Sequence, residues 1–291
     1  MGLIYLDGKF VDEKDAKISV FDHGLLYGDG VFEGLRSYNG KIFKLDEHIN
    51  RLYKSAKAIF LEIPMGIEEL KKTVIETVRK NNLKDSYIRV VVTRGVGDLG
   101  LDPRKCKKPT IFIIASKIQL YPESFYEKGI DVITVATRRN FNESLNPAIK
   151  SLNYLNNILA KIEANNAGAT EGLILNQFGY VSECTGENIF IVKGNDLITP
   201  PISAGVLEGI TRKVVMDIGE NIGLKIKEED ITRYDIYTSD ECFLTGTAAE
   251  IVPVVVVDKR IIGNGKPGKI TLKIREEFRL LTEIEGTPVY E

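Results

Sequence analysis

The segment Ile149-Lys150-Ser151-Leu152-Asn153-Tyr154 decides the fold, together with three segments that follow it. It places one lysine among apolar neighbours, just before a predicted helix. An apolar environment favours the neutral, nucleophilic form of a lysine. Taken alone, Lys150 is explained more simply as a lysine that reaches from a half-buried position to water. Its meaning therefore depends on the later segments.

Those later segments supply a carboxylate and turns rich in small residues. Glu183 ends a strand-like stretch, and Gly209-Ile210-Thr211 opens an amphipathic helix whose first amides have no acceptor inside the helix. Thr245-Gly246-Thr247-Ala248 ends a predicted buried strand and adds further amides. A lysine for a Schiff base, a carboxylate for a pyridine nitrogen and amides for a phosphate are what holds pyridoxal phosphate. Individually, Glu183 is also explained as a capping or solvated carboxylate, and Gly209 as an ordinary helix start.

The bulk composition is ordinary for a soluble globular protein and excludes several classes of function. Of 291 residues, 43% are hydrophobic and 27% are charged, with a formal net charge of −2. No basic run with interleaved aromatic residues suggests nucleic-acid binding. Apolar runs such as residues 251–257 are too short to span a bilayer, and the N-terminus lacks a signal-peptide pattern, so the cytoplasm is expected.

The cysteines and histidines give no reason to expect a disulfide framework or a metal site. Cys106, Cys184 and Cys242 are scattered and odd in number, and the chain has only two histidines. Cys184 lies inside one of the site segments, where a small side chain packed near a turn is the simpler interpretation.

The periodicity of hydrophobic residues predicts a mixed α+β chain in two domains. Asp7-Gly8 and Asn39-Gly40 predict hairpin turns. Residues 1–117 are predicted to form a small α/β domain, residues 118–128 an interdomain loop, and residues 129–291 a larger domain. The predicted helices lie over about 46–63, 66–81 and 153–166, from 210, and over 269–281; strands are predicted at 87–93, 110–115 and 130–137, with a late hairpin at 254–262.

Two arginines of the first domain lie where an anion is needed. Arg51 borders the buried face of the first long helix, where its planar fork suits a phosphate or a salt bridge with Asp46 or Glu47. Tyr87 and Arg89 alternate along a predicted strand and share one face. An arginine on that face needs either a substrate carboxylate or a buried structural partner.

In this order, the segments resemble the branched-chain amino acid aminotransferases, within the fold-type IV (class IV) pyridoxal-phosphate enzymes. The resemblance covers nearly the whole chain and implies a mixed α/β fold like that of D-amino acid aminotransferase, with a small N-terminal domain and a larger pseudo-barrel C-terminal domain. The matching motifs are Tyr27-Gly28-Asp29-Gly30-Val31-Phe32-Glu33-Gly34, His48-x-x-Arg51, Tyr87-Ile88-Arg89, Ser182-Glu183-x-x-Gly186-Glu187-Asn188 and Gly246-Thr247-Ala248-Ala249-Glu250.

The resemblance implies a role for each matching residue. Lys150 would form the Schiff base and move the proton, Tyr154 would hydrogen-bond the ring hydroxyl, and Glu183 would pair with the pyridine nitrogen. The other cofactor-binding residues would be Arg51, Gly209, Ile210, Thr211, Gly246 and Thr247. The substrate pocket would be lined by Tyr27, Phe32, Gly34, Arg36, Tyr87, Arg89, Thr247 and Ala248.

The implied reaction is a ping-pong transfer of the amino group from L-leucine, L-isoleucine or L-valine to 2-oxoglutarate. Arg89, or less favourably Arg36, would bind the second carboxylate of glutamate. The resemblance also implies a homodimer or larger homo-oligomer, with the site at the domain junction and loops from the neighbouring subunit. Alternatives are a D-amino acid aminotransferase or an aminodeoxychorismate lyase of the same fold, and a non-enzymatic module that binds an amino acid or pyridoxal phosphate.

Overall fold

The computed structural model describes residues 2–117 and 121–290. By contact, the chain groups into two compact units, Met1–Ile118 with Ile149–Asn153 and Thr282–Glu291, and Gln119–Ala148 with Tyr154–Leu281. That residues 1–117 and 129–291 form independently folding domains stays a prediction. Within the described ranges, no helix is both long and apolar enough to cross a membrane.

The first unit is built on an antiparallel sheet. Its strands pair in the order C-terminal strand, β4, β3, β5, β6, β1, β2. The strands are β1 Leu3–Leu6, β2 Lys9–Asp12, β3 Gly30–Tyr38, β4 Lys41–Ile42, β5 Ser86–Thr93, β6 Thr110–Ser116 and a C-terminal strand Thr287–Pro288; the helices are α1 His23–Tyr27, α2 Leu45–Ala58 and α3 Ile67–Lys80.

Both predicted hairpin turns of this unit are confirmed. Leu6 pairs with Lys9, and Tyr38 pairs with Lys41, so each turn has two residues. The turn residues, Asp7-Gly8 and Asn39-Gly40, all have positive φ values between 46° and 94°. Asn or Asp followed by glycine reaches that region at low cost, which makes these dipeptides strong local signals.

The sheet of the first unit has one core face and one face with polar and aromatic side chains. On the core face, Val31, Leu35, Ile88 and Val90 are fully buried in a cluster that includes residues of α2 and α3. The opposite face carries the side chains that alternate with these. In the β3–β5 register Gly34 faces Arg89 and Arg36 faces Tyr87, and directly opposed residues of antiparallel strands lie on the same face.

The second unit contains a larger mixed sheet. Its strand order is β12, β11, β10, β13, β14, β7, β8, β9, with β15 on β14. β7 runs parallel to both β14 and β8, and the other pairs are antiparallel except β11–β12. The elements are α4 Glu123–Lys128, β7 Ile130–Arg138, α5 Leu155–Asn166, β8 Glu171–Leu175, β9 Val181–Cys184, β10 Asn188–Lys193, β11 Asp196–Thr199, α6 Ile210–Asn221, β12 Lys225–Glu228, α7 Arg233–Tyr237, β13 Glu241–Gly246, β14 Glu250–Val257, β15 Arg260–Ile261 and α8 Lys269–Ile284.

The expectation of a loop over 118–128 is wrong for its second half. Glu123–Lys128 forms α4, which begins after Pro122 and packs on β14. Tyr121 and Tyr126 are buried there, and the Tyr126 hydroxyl donates a hydrogen bond to the carbonyl of Ala249. One helical turn anchored by aromatic residues is too short for periodicity to reveal. Residues 118–120 of the predicted loop lie outside the described residues.

Candidate functional site

Lys150 extends the sheet of the first unit as an added edge segment. The Phe32 amide donates to the Lys150 carbonyl across 3.0 Å, and the Leu152 amide donates to the Gly30 carbonyl across 2.9 Å. Lys150 is therefore opposite Phe32 and shares its face, with the Nζ atom 4.7 Å from the Phe32 ring centroid. Its own amide donates to the Ser55 hydroxyl of α2. The predicted lysine thus lies on a fixed strand segment, over an aromatic ring.

The same sheet face presents Arg89 and Tyr87 beside Phe32. The Arg89 guanidinium lies 4.5 Å from the Phe32 ring centroid and donates a hydrogen bond of 2.9 Å to the Tyr87 hydroxyl. A methyl group on Gly34 would lie 2.1 Å from that hydroxyl, so glycine is required there for the close approach of Tyr87. Within the described part of the chain, no carboxylate is paired with Arg89. The face combines a lysine, an aromatic surface and a guanidinium.

Arg51 is held by Glu33, a buried carboxylate on β3. Glu33 is fully buried and accepts hydrogen bonds from Arg51 Nε at 2.6 Å and from His48 Nδ1 at 2.7 Å. Burial alone would raise the pKa of Glu33, but the charge of Arg51 and the hydrogen bond from His48 lower it to about 2. The pKa of His48 is itself lowered, first by burial and further by Arg51 and Lys150. Glu33 and Arg51 thus form a pair that fixes the guanidinium.

Two further predicted substrate residues, Arg36 and Tyr27, have contacts of their own in the first unit. Arg36 lies 5.0 Å from the Tyr38 ring centroid and lines a separate cavity of about 540 Å³ with residues 82–86 and Lys117. Tyr27 ends α1, and its hydroxyl donates to the Leu99 carbonyl across 2.6 Å. The adjoining Gly28 has φ 71° and packs against Asn153, so Tyr27 is still next to the Lys150 segment.

In the second unit, Glu183 is buried on β9 with donors at both carboxylate oxygens. Arg139 donates to Oε1 across 2.5 Å. The Asn188 side chain and the Leu207 amide donate to Oε2 across 3.1 Å and 2.9 Å. Arg139 is fixed in turn by the Gly205 carbonyl and by Asn157. An ion pair of this kind stabilises the anionic carboxylate, which is the form that a protonated pyridine nitrogen needs.

The start of α6 lies beside this carboxylate. Gly209 is its N-cap residue, and no side chain caps the helix. A methyl group on Gly209 would lie 2.0 Å from the Asn188 side-chain oxygen, which explains the glycine. The first amides of α6, at Ile210 and Thr211, have no acceptors inside the helix and carry the positive end of its dipole. A carboxylate partner and an anion-binding helix end therefore occur together in this unit.

The remaining predicted residues of the second unit are at a turn and a helix start. Thr247 and Ala248 lie in the turn that joins β13 to β14, with Gly246 paired to Glu250. Tyr154 is the N-cap residue of α5, half-buried, and its carbonyl accepts the Ile158 amide. The interpretation of Cys184 as a packed side chain is confirmed, because it is fully buried.

A buried hydroxyl gives this unit a further polar group for a ligand. Thr245 is 1% exposed, and its Oγ1 atom has no hydrogen-bond partner among the described residues. Thr245 is opposite Asn188 in the β10–β13 register, so the two side chains share one face. Buried hydroxyls normally have partners, and an unpaired one indicates space for a polar group that binds there.

Sequence reasoning missed the residues that hold the predicted ones in place. Glu33, Arg139, Asn157 and Leu207 make their decisive contacts with residues 18 to 44 positions away. Glu33 stands inside the Phe32-Glu33-Gly34 motif, so that motif was the one available signal. Arg139 is one of two adjacent arginines and lies just past the end of β7, so no local pattern distinguished it from exposed Arg138.

Comparison with known proteins identifies the family. The sequence model described as amino-transferase class IV matches residues 30–257. A putative branched-chain-amino-acid aminotransferase of Methanocaldococcus jannaschii is 58% identical over 288 residues, covering 99% of each chain. The crystal structure of the Escherichia coli branched-chain amino acid aminotransferase matches with a TM-score of 0.94 and 36% identity, covering 97% of this chain and 94% of that one.

A further solved structure is the T.th. branched-chain amino acid aminotransferase complexed with N-(5'-phosphopyridoxyl)-L-glutamate. It matches with a TM-score of 0.92 and 38% identity, covering 97% of this chain and 94% of that one. Likeness at this identity and coverage confirms the predicted fold-type IV architecture. Since the family model spans well over half of the sequence and the relatives span nearly all of it, this chain belongs to the class IV aminotransferases.

Proposed function

We propose that the protein is a pyridoxal-phosphate-dependent aminotransferase that exchanges amino groups between branched-chain L-amino acids and 2-oxoglutarate. The observation that carries the proposal is the sheet face on which Lys150 lies over Phe32, with Arg89 beside the same ring. The ring offers an apolar surface for a branched side chain, and the guanidinium offers an anchor for a second carboxylate.

The donor sets suit pyridoxal phosphate. Lys150 is the proposed covalent attachment point, Glu183 the partner of the pyridine nitrogen and Tyr154 the partner of the ring hydroxyl. The proposed phosphate ligands are Arg51, Ile210, Thr211 and Thr247, with Gly209 and Gly246 allowing the close approach of the backbone. The unpaired hydroxyl of Thr245, on the face of Asn188, fits a polar ligand next to Glu183. When bound, the cofactor supplies an electron sink that makes the Cα–H bond of an amino acid ionisable.

The protein's own groups then perform the proton transfer and the positioning. Nζ of Lys150 takes the proton from the substrate Cα atom, and its strand pairing limits where that nitrogen can move. Phe32 covers one side of the Lys150 Nζ atom, and Glu183 would help to keep a proton on the pyridine nitrogen of the bound cofactor. Arg139 contributes by fixing the position of the Glu183 carboxylate through its hydrogen bond.

Substrate selection is proposed to depend on Arg89 rather than Arg36. Both arginines lie on the sheet face of Phe32, but Arg89 contacts the Phe32 ring, whereas Arg36 lies over the Tyr38 ring and lines the cavity with residues 82–86. The T.th. enzyme carries a glutamate adduct in its complex, which supports a site for two carboxylates in this family. The remaining proposed pocket residues are Tyr27, Gly34, Tyr87, Thr247 and Ala248.

A homodimer is also proposed, because α5 exposes an apolar stripe. Leu155, Ile158, Leu159 and Ile162 follow helical spacing, and their exposed fractions lie between 46% and 60%. Such a stripe is unfavourable in water and is typical of a surface that a second subunit covers. A cytoplasmic location is supported by the three cysteines, which are all unpaired thiols.

Turnover of purified protein reconstituted with pyridoxal phosphate tests the proposal. L-leucine and D-alanine are assayed separately with 2-oxoglutarate, and visible absorption reports the bound cofactor. We expect a yellow protein and faster turnover of L-leucine. Faster turnover of D-alanine would favour a D-amino acid aminotransferase, and a colourless protein would exclude both enzymes.

A matched pair of lysine variants completes this test. Lys150→Ala should lose turnover and visible absorption, whereas the exposed Lys72→Ala should keep both. A Lys150→Ala protein with full activity contradicts the proposed role of the lysine.

A further inference from the structure

Two buried glutamates support the turn that connects Glu183 to Asn188. The Thr185 amide donates to Oε1 of Glu171 across 3.2 Å, and the next amide, of Gly186, donates to Oε2 of Glu187 across 3.1 Å. Because neighbouring amides reach different carboxylates, both carboxylates lie against this one turn. Glu171 is 2% exposed and Glu187 is 6% exposed.

The charges around this pair do not balance if both glutamates are ionised. Lys161 donates to Glu171 across 2.8 Å and is the cation that compensates it. Glu187 instead accepts a hydrogen bond of 3.1 Å from the Tyr121 hydroxyl, and the thiol of Cys184 is also close. Among the described residues, Lys161 is the one cation that bonds this pair, so the two buried carboxylates retain a proton, and Glu187 is the member that the lysine does not bond.

The titration of each group around Glu187 agrees with this assignment. Burial, followed by the charge of Glu171, raises the pKa of Glu187 to about 7, although Tyr121 and Lys161 act against it. Burial also raises the pKa values of Tyr121 and Cys184, so both stay neutral. Glu187 is thus the group among these that changes charge near neutral pH.

Glu187 also contacts a second segment of the proposed site. An added methyl group on Gly246 would lie 3.4 Å from the Gly186 carbonyl and 3.5 Å from Cγ of Glu187. Gly246 precedes Thr247 and Ala248, so the turn at Gly186 packs against the turn proposed to bind phosphate and substrate. A displacement of Glu187 would move both segments, since protein interiors are densely packed.

We propose that Glu187, in its protonated form, is a positioning residue that holds the turn at Gly186 and thereby the cofactor-binding groups Glu183 and Thr247. The proposal rests on the proposed function, because it concerns the same cofactor. Loss of the proton would place a second negative charge beside Glu171 in a buried setting, and the turn would shift to relieve it. Cofactor affinity should therefore weaken as the pH rises past neutrality.

The test compares the dissociation constant for pyridoxal phosphate of the full-length wild-type protein with that of Glu187→Gln, which keeps the shape of the side chain without its titration. The ratio of the two constants cancels the pH effects that the two proteins share, such as those of the cofactor itself. We expect the wild type to lose about tenfold in affinity relative to Glu187→Gln between about pH 6 and about pH 8. Exposed Glu229→Gln is the control and should follow the wild type.

A second variant and a direct measurement separate positioning from general stability. Glu171→Gln removes the repelling charge, so Glu187 should lose its proton at lower pH and the accompanying loss of cofactor affinity should be smaller. Infrared difference spectra should show a protonated carboxyl in the wild type that disappears as the pH rises and is missing from Glu187→Gln. A pH-independent affinity ratio, an unshifted transition in Glu171→Gln or a missing carboxyl band would each overturn the inference. If neither the wild type nor any variant binds pyridoxal phosphate, the proposed function is wrong. The infrared band would still report whether Glu187 carries a proton.

Discussion

Arg139 donates a hydrogen bond of 2.5 Å to Glu183, and both side chains are more than nine-tenths buried. Removing one partner of such a pair leaves an uncompensated buried charge. Arg139→Met should therefore lower the free energy of unfolding by about 3–5 kcal/mol and weaken the binding of pyridoxal phosphate. Chemical unfolding with and without cofactor measures both effects. Arg138→Met is the control, because the neighbouring arginine is exposed, and an equal loss in both variants would contradict the role of the pair.

The pair of Glu33 and Arg51 should make the protein sensitive to acid. The pKa of Glu33 is lowered from 4.5 to about 2, so the carboxylate contributes stability above pH 4.5 that is lost as the pH falls through about 2. The contribution is about 3 kcal/mol, at about 1.4 kcal/mol for each pH unit. His48 adds to the loss below pH 6.5, since its lowered pKa means that the unfolded chain takes up the proton more readily.

Glu33→Gln is expected to be less stable than the wild type at neutral pH and to show a flatter dependence below pH 4.5. Unfolding curves across this pH range measure the difference. A Glu33→Gln protein with the slope of the wild type would show that Glu33 does not carry the acid sensitivity.

Gly34 is expected to affect the binding of the second carboxylate of 2-oxoglutarate, because it sets the position of Tyr87. In Gly34→Ala the new methyl group would meet the Tyr87 hydroxyl at 2.1 Å, so Tyr87 and its partner Arg89 must move. Overpacking of this kind costs about 1–3 kcal/mol, and kcat/KM for 2-oxoglutarate should fall about tenfold or more. The kcat/KM for L-leucine should fall less. Gly66→Ala is the control, since a methyl group there meets no atom within 4 Å, and it should leave both values unchanged.

Gly209 is expected to tolerate no side chain while Asn188 is present. Gly209→Ala would place a methyl group 2.0 Å from the Asn188 oxygen and disturb a donor of Glu183. Affinity for pyridoxal phosphate should fall about tenfold, as for an overpacking cost of about 1–3 kcal/mol. In an Asn188→Ala background the same glycine substitution should cost less, because the clashing side chain is gone. If the losses of cofactor affinity caused by the two single substitutions simply add in the double variant, the steric explanation is excluded.

Local chemistry explains why much of the fold could be predicted. Asp7-Gly8 and Asn39-Gly40 specify turns by their own backbone preferences, and the structure confirms both hairpins. The helices α2 and α3 follow from amphipathic spacing, and α3 begins after Gly66 as predicted. The predicted end of the first helix near residue 63 is wrong, because α2 ends at Ala58 and Phe60 has a positive φ and is exposed. The alternation of Tyr87 and Arg89 on one face, opposite buried Ile88, is confirmed by the strand register. In each case the information lies within a few residues.

The supporting contacts could not be predicted, because they join distant parts of the chain. Asp46 and Glu47 were candidate partners for Arg51 by helix spacing, but its ion pair is with Glu33 on a strand, and Asp46 pairs with Lys71. The same limit applies to Arg139, whose partner is 44 residues away. The short helix α4 was missed for another reason, since six residues give no measurable period.

The pairing of Lys150 with β3 limits how the chain can be divided into fragments that fold. The first unit includes residues 149–153, which the chain reaches only after contributing about 30 residues to the second unit. A fragment that ends near residue 117 would lack the segment that pairs with Gly30 and Phe32, leaving an open strand edge. Fragment complementation would therefore require the missing segment in trans, and a circular permutant that opens the chain between 149 and 153 should fold poorly.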